Sequence, residues 1–386
     1  MRTTGTIARG IRAPLINRGD DLAGIVTDCV LAAAMEGQFE LNDMDVIGVT
    51  EAVVARAQSN YATCGQVAQD IRSKFPGGII GAVFPILSRN RFGNHLKGIV
   101  QGCDKLYLLL SYPSDEVGNS LFPVELPGIP DVGACTDVLD EKTYREKFGY
   151  DTKHIFTGVD YVDYYKSFGD NIEILFANDA RRILDYTKNV LCCDIHTRFD
   201  SKRLLKAAGA EIVYGLDDIL AEPVNGSGYN EKYGLLGANM NSGDILKLFP
   251  RDCDKLVTDI AERLLVKTGK RIEVMVYGDG AFRDPVNKIW ELADPVVSPG
   301  YTPGLEGQSN ELKLKFLLDN ESDGKTSDEL RESVVAAIKS KVGESLGTTP
   351  RRYPDLLGSL CDLISGSGDK GTPIVLIQGY FDNYAS

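Results

Sequence analysis

Val274-Met275-Val276-Tyr277-Gly278-Asp279-Gly280-Ala281-Phe282-Arg283-Asp284-Pro285 is the stretch on which the reading of the fold turns. Its β-branched and aromatic opening has the character of a buried strand, and Gly278 breaks it. Asp279 is thereby presented at a strand end between two glycines, which let the backbone come close to a metal ion or a phosphate. Arg283 adds a planar cation and Asp284 a second acid. The same letters also fit an Asp-Gly turn between two strands.

The pattern repeats elsewhere in the chain. Leu106-Tyr107-Leu108-Leu109-Leu110 reads as a buried strand that runs into Ser111-Tyr112-Pro113-Ser114-Asp115-Glu116-Val117-Gly118-Asn119. Asp115 is presented in the same local manner as Asp279. The two carboxylates can share a divalent cation if their strands are neighbours.

Around these stretches the periodicity alternates between strand and helix. Residues 6–17 give a short strand and a Pro-containing loop, and Arg18-Gly19-Asp20-Asp21 caps a helix over 22–34. The strand Val46-Ile47-Gly48-Val49-Thr50 leads directly into a helix from Glu51 to Ala57, which the reading expects to set Arg56 near a helix N-terminus, where a phosphate is favoured. A solvent-facing Arg56 on a surface helix is the plainer alternative. Arg89, Arg91, His95 and Lys97 follow an apolar run and form the clearest cationic cluster, suited to an anionic substrate or polyphosphate.

The middle of the chain alternates strand candidates (173–176, 190–194, 211–214) with helical stretches (180–188, 202–208), as in a small three-layer α/β unit. Asp194-Ile195-His196-Thr197-Arg198 has the letters of a catalytic set, but strand-end polar residues of a structural subdomain are the commoner source of such letters. Helices over 254–268, 332–341 and 354–364 and a closing strand from Ile374 complete the chain, with no internal repeat.

Composition bounds the function. With 386 residues, 43% hydrophobic and 25% charged, the chain is an ordinary globular protein of two domains or one large one. A net charge of -13 argues against a general nucleic-acid binder. No apolar run approaches the roughly 20 residues of a membrane span, and no basic-then-apolar leader opens the chain, so the expectation is a cytoplasmic protein without a membrane partner. The eight cysteines include no C-x-x-C pair and read as small core residues in a reducing compartment.

Taken together, the blocks resemble the coenzyme F420 gamma-glutamyl ligase family, whose members join glutamate to F420-0 using GTP. The family's Pro-x-x-x-x-Gly-Asp-Asp-Leu-Ala pattern matches Pro14 to Ala23, and its next block is similar to Ile47 to Gln58. Its metal and nucleotide loop resembles Asp115 to Asn119 with one residue more, its Asp-Thr-x-Gly-Arg loop resembles Asp279 to Arg283, and its closing strand resembles Gly371 to Val375.

The resemblance implies a mixed α/β (α+β) fold: a discontinuous ligase-like core over residues 1–125 and 266–386, interrupted by an inserted three-layer α/β subdomain over 126–265. It implies nucleotide contacts from Ala13, Pro14, Leu15, Ile16, Glu51, Arg56, Asn119 and Ser367, and metal contacts from Asp115, Asp279, the Gly280 backbone and Asp369. Asp115, Asp279 and Arg283 would be the catalytic residues. Arg56 stands where the family has lysine, Ser367 where it has a metal-binding Gln or Glu, and Glu51 where small polar residues are usual, so GTP and ATP both stay open.

The activity so implied is that of an acid-amino-acid ligase working through an acyl phosphate. Its helpers would be two Mg2+ or Mn2+ ions and K+, with glutamate as amine donor and F420-0 or another carboxylate metabolite as acceptor, in a homodimer. A catalytically altered nucleotide- or metal-binding regulator and a metal-dependent hydrolase are the rival readings.

Overall fold

The computed structural model describes residues 4–122, 137–154, 157–278, 298–321, 326–340, 348, 350–365 and 369–385. In chain order the strands are β1 (Ile7–Ile11), β2 (Val46–Thr50), β3 (Tyr61–Thr63), β4 (Ile79–Val83), β5 (Lys105–Leu110), β6 (Leu139–Asp140), β7 (Ile172–Phe176), β8 (Asn189–Cys192), β9 (Ile212–Gly215), β10 (Asn239–Ser242), β11 (Ile245–Lys247), β12 (Glu273–Tyr277), β13 (Gly300–Tyr301) and β14 (Ile374–Gln378). The α-helices are α1 (Leu22–Gly37), α2 (Glu51–Ala57), α3 (Cys64–Lys74), α4 (Asn94–Gln101), α5 (Glu141–Phe148), α6 (Tyr161–Lys166), α7 (Arg198–Ala207), α8 (Cys253–Thr268), α9 (Leu314–Glu321), α10 (Ser327–Ser340) and α11 (Tyr353–Ile364). Among the described residues no helix is long and apolar enough to cross a membrane.

The chain divides into two compact units. The first gathers Met1–Ala57, Asp252–Gly280 and Val296–Ser386, and the second gathers Gln58–Arg251 and Ala281–Pro295. The expected boundary at 125/126 therefore falls inside the second unit. The reason is strand pairing: β4 and β5, expected in the ligase-like core, pair in parallel with β8 and β7 and become central strands of the same sheet.

The first unit is a mixed five-stranded sheet in the order β1-β14-β2-β12-β13. Alternation along the strands builds two cores. Ile47, Val49, Val274, Val276, Ile374 and Leu376 face α1 and α8, whereas Val46, Met275, Tyr277, Val375 and Ile377 face Leu357 and Cys361 of α11. Gly48 permits this second layer: a Cβ there would stand 2.4 Å from the Cys361 Sγ and 3.0 Å from the Tyr277 ring.

The second unit carries a six-stranded sheet, β6-β7-β5-β4-β8-β9, parallel except for β6. Numbered by their own succession, its parallel strands run 3-2-1-4-5, so the sheet reverses its direction of growth between β4 and β8. Ile80, Leu106, Leu108, Leu110, Ile174 and Phe176 pack with Leu96 and Ile99 of α4 and Tyr161 and Tyr165 of α6, while Leu109, Leu175, Val190 and Cys192 pack with Ile183 and Leu205 on the other face. The stretch read as a helix over 180–188 is a 3-10 helix over Ala180–Asp185. A small antiparallel sheet, β10-β11-β3, belongs to the same unit. The described cysteines are free thiols, buried apart from the partly covered Cys29.

Candidate active site

One edge of the first unit's sheet collects most of the residues singled out from the sequence. The C-terminal ends of β2 and β12 lie side by side, since Thr50 pairs with Tyr277, and β14 starts at the same edge, with Ile374 opposite both Val49 and Ile11. Backbone bonds extend the edge beyond the strands: Thr50 N–H donates to the Pro373 carbonyl at 3.0 Å and Ala13 N–H to the Gly371 carbonyl at 3.4 Å. The segment Ala13–Ile16, the start of α2 at Glu51, the end of β12 and the turn containing Asp369 are thereby neighbours by topology.

The side chains at this edge have distinct environments. Glu51 is buried in the first turn of α2, while Pro14 and Leu15 are exposed, Leu15 by 90%, and Ile16 is buried. Arg56 sits in the last turn of its seven-residue helix, not at the N-terminus expected for it. Because β2 passes into α2 at once, five residues carry the chain to the helix C-terminus, where carbonyls and not N–H groups are exposed. There the Arg56 Nε donates to the Ile16 carbonyl at 2.6 Å, and Gly19 N–H donates to the Ala57 carbonyl at 2.8 Å. Arg56 thus fixes the shape of the 13–16 loop. Asp369 is exposed in the turn before β14. Asp279, Gly280, Arg283 and Ser367 lie outside the described residues.

Asp115 and Asn119 belong to the second unit. The condition for Asp115 and Asp279 to share an ion through neighbouring strands is not met: β5 lies between β4 and β7 in one sheet, β12 between β2 and β13 in the other. The Asp115 carboxylate is also fully engaged. Its Oδ2 accepts from the Leu87 N–H at 2.9 Å and the Asn119 amide at 3.1 Å, and its Oδ1 from the N–H groups of Val117 at 3.1 Å and Asn119 at 2.8 Å. A carboxylate has about four lone-pair positions, and these bonds fill them. Burial pushes its pKa up and the hydrogen bonds hold it partly back. As placed, Asp115 organises the loop after β5 and does not offer a ready metal ligand. Among the described residues no group of three or more His, Cys, Asp or Glu is arranged to hold a metal.

The cationic cluster disperses in the fold. Residues 89–93 form a π-helical turn before α4. Arg91 and His95 are buried, Lys97 pairs with Asp244 at 2.5 Å, and Arg89 stays exposed near His154, Tyr161 and Tyr164. Burial and the neighbouring Arg91 charge lower the His95 pKa to about 3.

Sequence reading passed over Glu116. Its carboxylate accepts from the N–H groups of Ile195 at 2.6 Å, His196 at 3.2 Å and Thr197 at 3.2 Å, and from the Thr197 hydroxyl at 3.0 Å. It therefore sits on the N-terminal end of α7, at the point where the second sheet reverses, the place where doubly wound sheets receive anionic ligands. Asp194, fully buried beside it, accepts from the Thr197 and Ser201 hydroxyls at 2.7 Å each, and Arg198 pairs with Asp217 at 3.0 Å. Glu116 stands 79 residues from its first partner, and no local pattern signals that contact.

Comparison with curated proteins gives no match. A family model described as F420-0:Gamma-glutamyl ligase matches residues 10–379. That span takes in both units and nearly the whole sequence, and the chain belongs to the F420-0:gamma-glutamyl ligase family.

Proposed function

We propose that the protein is a nucleotide-dependent ligase that joins the amine of glutamate to a carboxylate of a small acceptor, F420-0 or a related metabolite. The observation that carries this reading is the assembly at one sheet edge of the 13–16 loop, its Arg56 tether, the start of α2, the end of β12 and the turn before β14. In the proposed reaction an acceptor carboxylate oxygen attacks the terminal phosphorus of GTP or ATP and the nucleoside diphosphate leaves. Glutamate's amine then attacks the acyl carbon, inorganic phosphate departs, and the amine gives up a proton. No protein nucleophile is needed, because positioning and charge stabilisation supply most of the acceleration in phosphoryl transfer.

In this proposal the exposed Leu15 and the backbone of Ala13 to Ile16 receive the nucleotide, with Arg56 holding their shape. Divalent metal, Mg2+ or Mn2+, would be held by Asp279 and by Asp369 in the turn before β14, and would supply neutralisation of the transferring phosphate's charge. The saturated Asp115 carboxylate does not fit that task, so no step is routed through it. Homodimer formation remains part of the proposal and is read by sedimentation velocity.

Mass spectrometry of products from a metabolite extract, GTP or ATP and labelled glutamate tests the reaction and identifies the acceptor. Glutamate-dependent phosphate release is the expected result. Hydrolysis that is indifferent to glutamate would replace the ligase with a hydrolase, and nucleotide binding without turnover would favour a regulator. Asp279→Asn is expected to abolish turnover while leaving the thermal unfolding of the chain unchanged.

A further inference from the structure

Among the described residues β1 forms an edge of the first unit's sheet. β1 pairs with β14 alone, so alternate residues of Ile7–Ile11 turn their N–H and C=O groups outward, and among the described residues no backbone group bonds to them. Beside this edge runs a groove of about 820 Å³, within the roughly 300–1,000 Å³ typical of small-ligand sites. Its wall on α1 is made of the small side chains Cys29, Ala32 and Ala33 followed by Glu36, whose single negative charge is outweighed in the lining by Arg9, Arg12 and Lys370. At the end of the groove next to the candidate active site stand Arg12 and Lys370, both exposed, and neither has an ion-pair partner among the described residues.

We infer that this groove docks an extended acidic peptide segment, which adds a strand to β1 and lays its carboxylates against Arg12 and Lys370. Two features select this occupant. A bare strand edge recognises a main chain with alternating amides, the mode by which peptides augment sheets. The strand repeat is about 6.8 Å for two residues, which an α-peptide matches. A γ-linked glutamate chain interposes two further carbons between successive amides and loses the register. The charge at the active-site end selects acidic side chains or a C-terminal carboxylate. This inference concerns binding and stands apart from the reaction proposed above.

The test uses the full chain and three fluorescein-labelled probes: an acidic peptide rich in β-branched residues, the same peptide with lysine in place of glutamate, and γ-linked oligoglutamate. Anisotropy is expected to show binding of the acidic α-peptide only. Reversing both cations (Arg12→Glu with Lys370→Glu) is expected to weaken it about tenfold, and Ala32→Trp, which fills the groove from an exposed position on α1, is expected to weaken it as well. On binding, backbone amides of Ile7–Ile11 should gain protection from hydrogen exchange. The inference is overturned by no binding of the α-peptide, by preference for the γ-linked or lysine probe, or by binding that leaves β1 exchange unchanged. Self-association of the chain that protects the same amides would assign the edge to a second copy and overturn it equally.

Discussion

His95 offers a quantitative test of the second unit's packing. The ring is 2% exposed, lies edge-on to Phe92 with centroids 6.4 Å apart, and has a backbone hydrogen bond at Ala238. Desolvation and the Arg91 charge lower its pKa from 6.5 to about 3. A histidine held neutral in the fold but free to protonate when unfolded binds fewer protons in the native state. Its stabilisation is therefore complete above pH 6.5 and is lost as the pH falls towards 3. The slope is about 1.4 kcal/mol for each pH unit below the unfolded value, so acidification from pH 7 to pH 5 removes about 2 kcal/mol through this one ring. Asp115 and Asp194, whose pKa values are raised by burial, act in the opposite sense, since their native-state protonation is favoured as pH falls.

His95→Gln removes the titration and leaves those acids in place, so the difference between the two proteins isolates the ring. Urea unfolding at pH 7, 6 and 5 is expected to show a flatter pH dependence for the variant, and NMR is expected to show a wild-type His95 ring that does not titrate above pH 5. Equal slopes for the two proteins, or a ring that titrates near 6.5, would refute the argument.

Other outcomes follow from the packing. Gly48→Ala places a methyl group against Cys361 and Tyr277 and is expected to cost ~1–3 kcal/mol by overpacking, read as a lowered urea midpoint. Arg145 is buried and pairs with the partly covered Asp160 at 2.7 Å and with Asp163 at 3.0 Å, so Arg145→Ala, which removes the cation while Asp160 keeps its bonds from Thr152, Val162 and Asp163, is expected to cost ~1–3 kcal/mol, read as a lowered urea midpoint. Arg56→Ala is expected to raise the KM for nucleotide several-fold with a smaller change in kcat, because it frees the 13–16 loop without removing a reacting group; steady-state kinetics on the acceptor found by mass spectrometry would read the split.

Strands and helices with strong local signals were legible in the sequence. β2 with its immediate passage into α2, β5, β12, α8, α11 and β14 all lie where alternation or helical spacing puts them. Sheet membership was not legible, because parallel pairing joins segments far apart: β4 meets β8 more than a hundred residues later, and no turn sequence links them. The middle strands read as a self-contained insertion thus turned out to share their sheet with β4 and β5. The candidate site followed the same rule. The blocks pointed to positions near 13, 51 and 369, which strand pairing gathers at one edge, but Arg56's bond to Ile16 spans 40 residues and Asp115's bond from Leu87 spans 28, and no local pattern signals either contact. Acidic letters at a strand end do not distinguish a vacant ligand from a carboxylate already consumed by its own loop.

The seat of Glu116 on α7 bears on competition. A free anion arriving at the reversal point of the second sheet meets a rival that is part of the same chain, present at an effective concentration of order millimolar or higher and never diluted by the solvent. An end of the sheet that in doubly wound folds commonly serves as a port for nucleotides is here a buckle between the loop after β5 and the loop after β8.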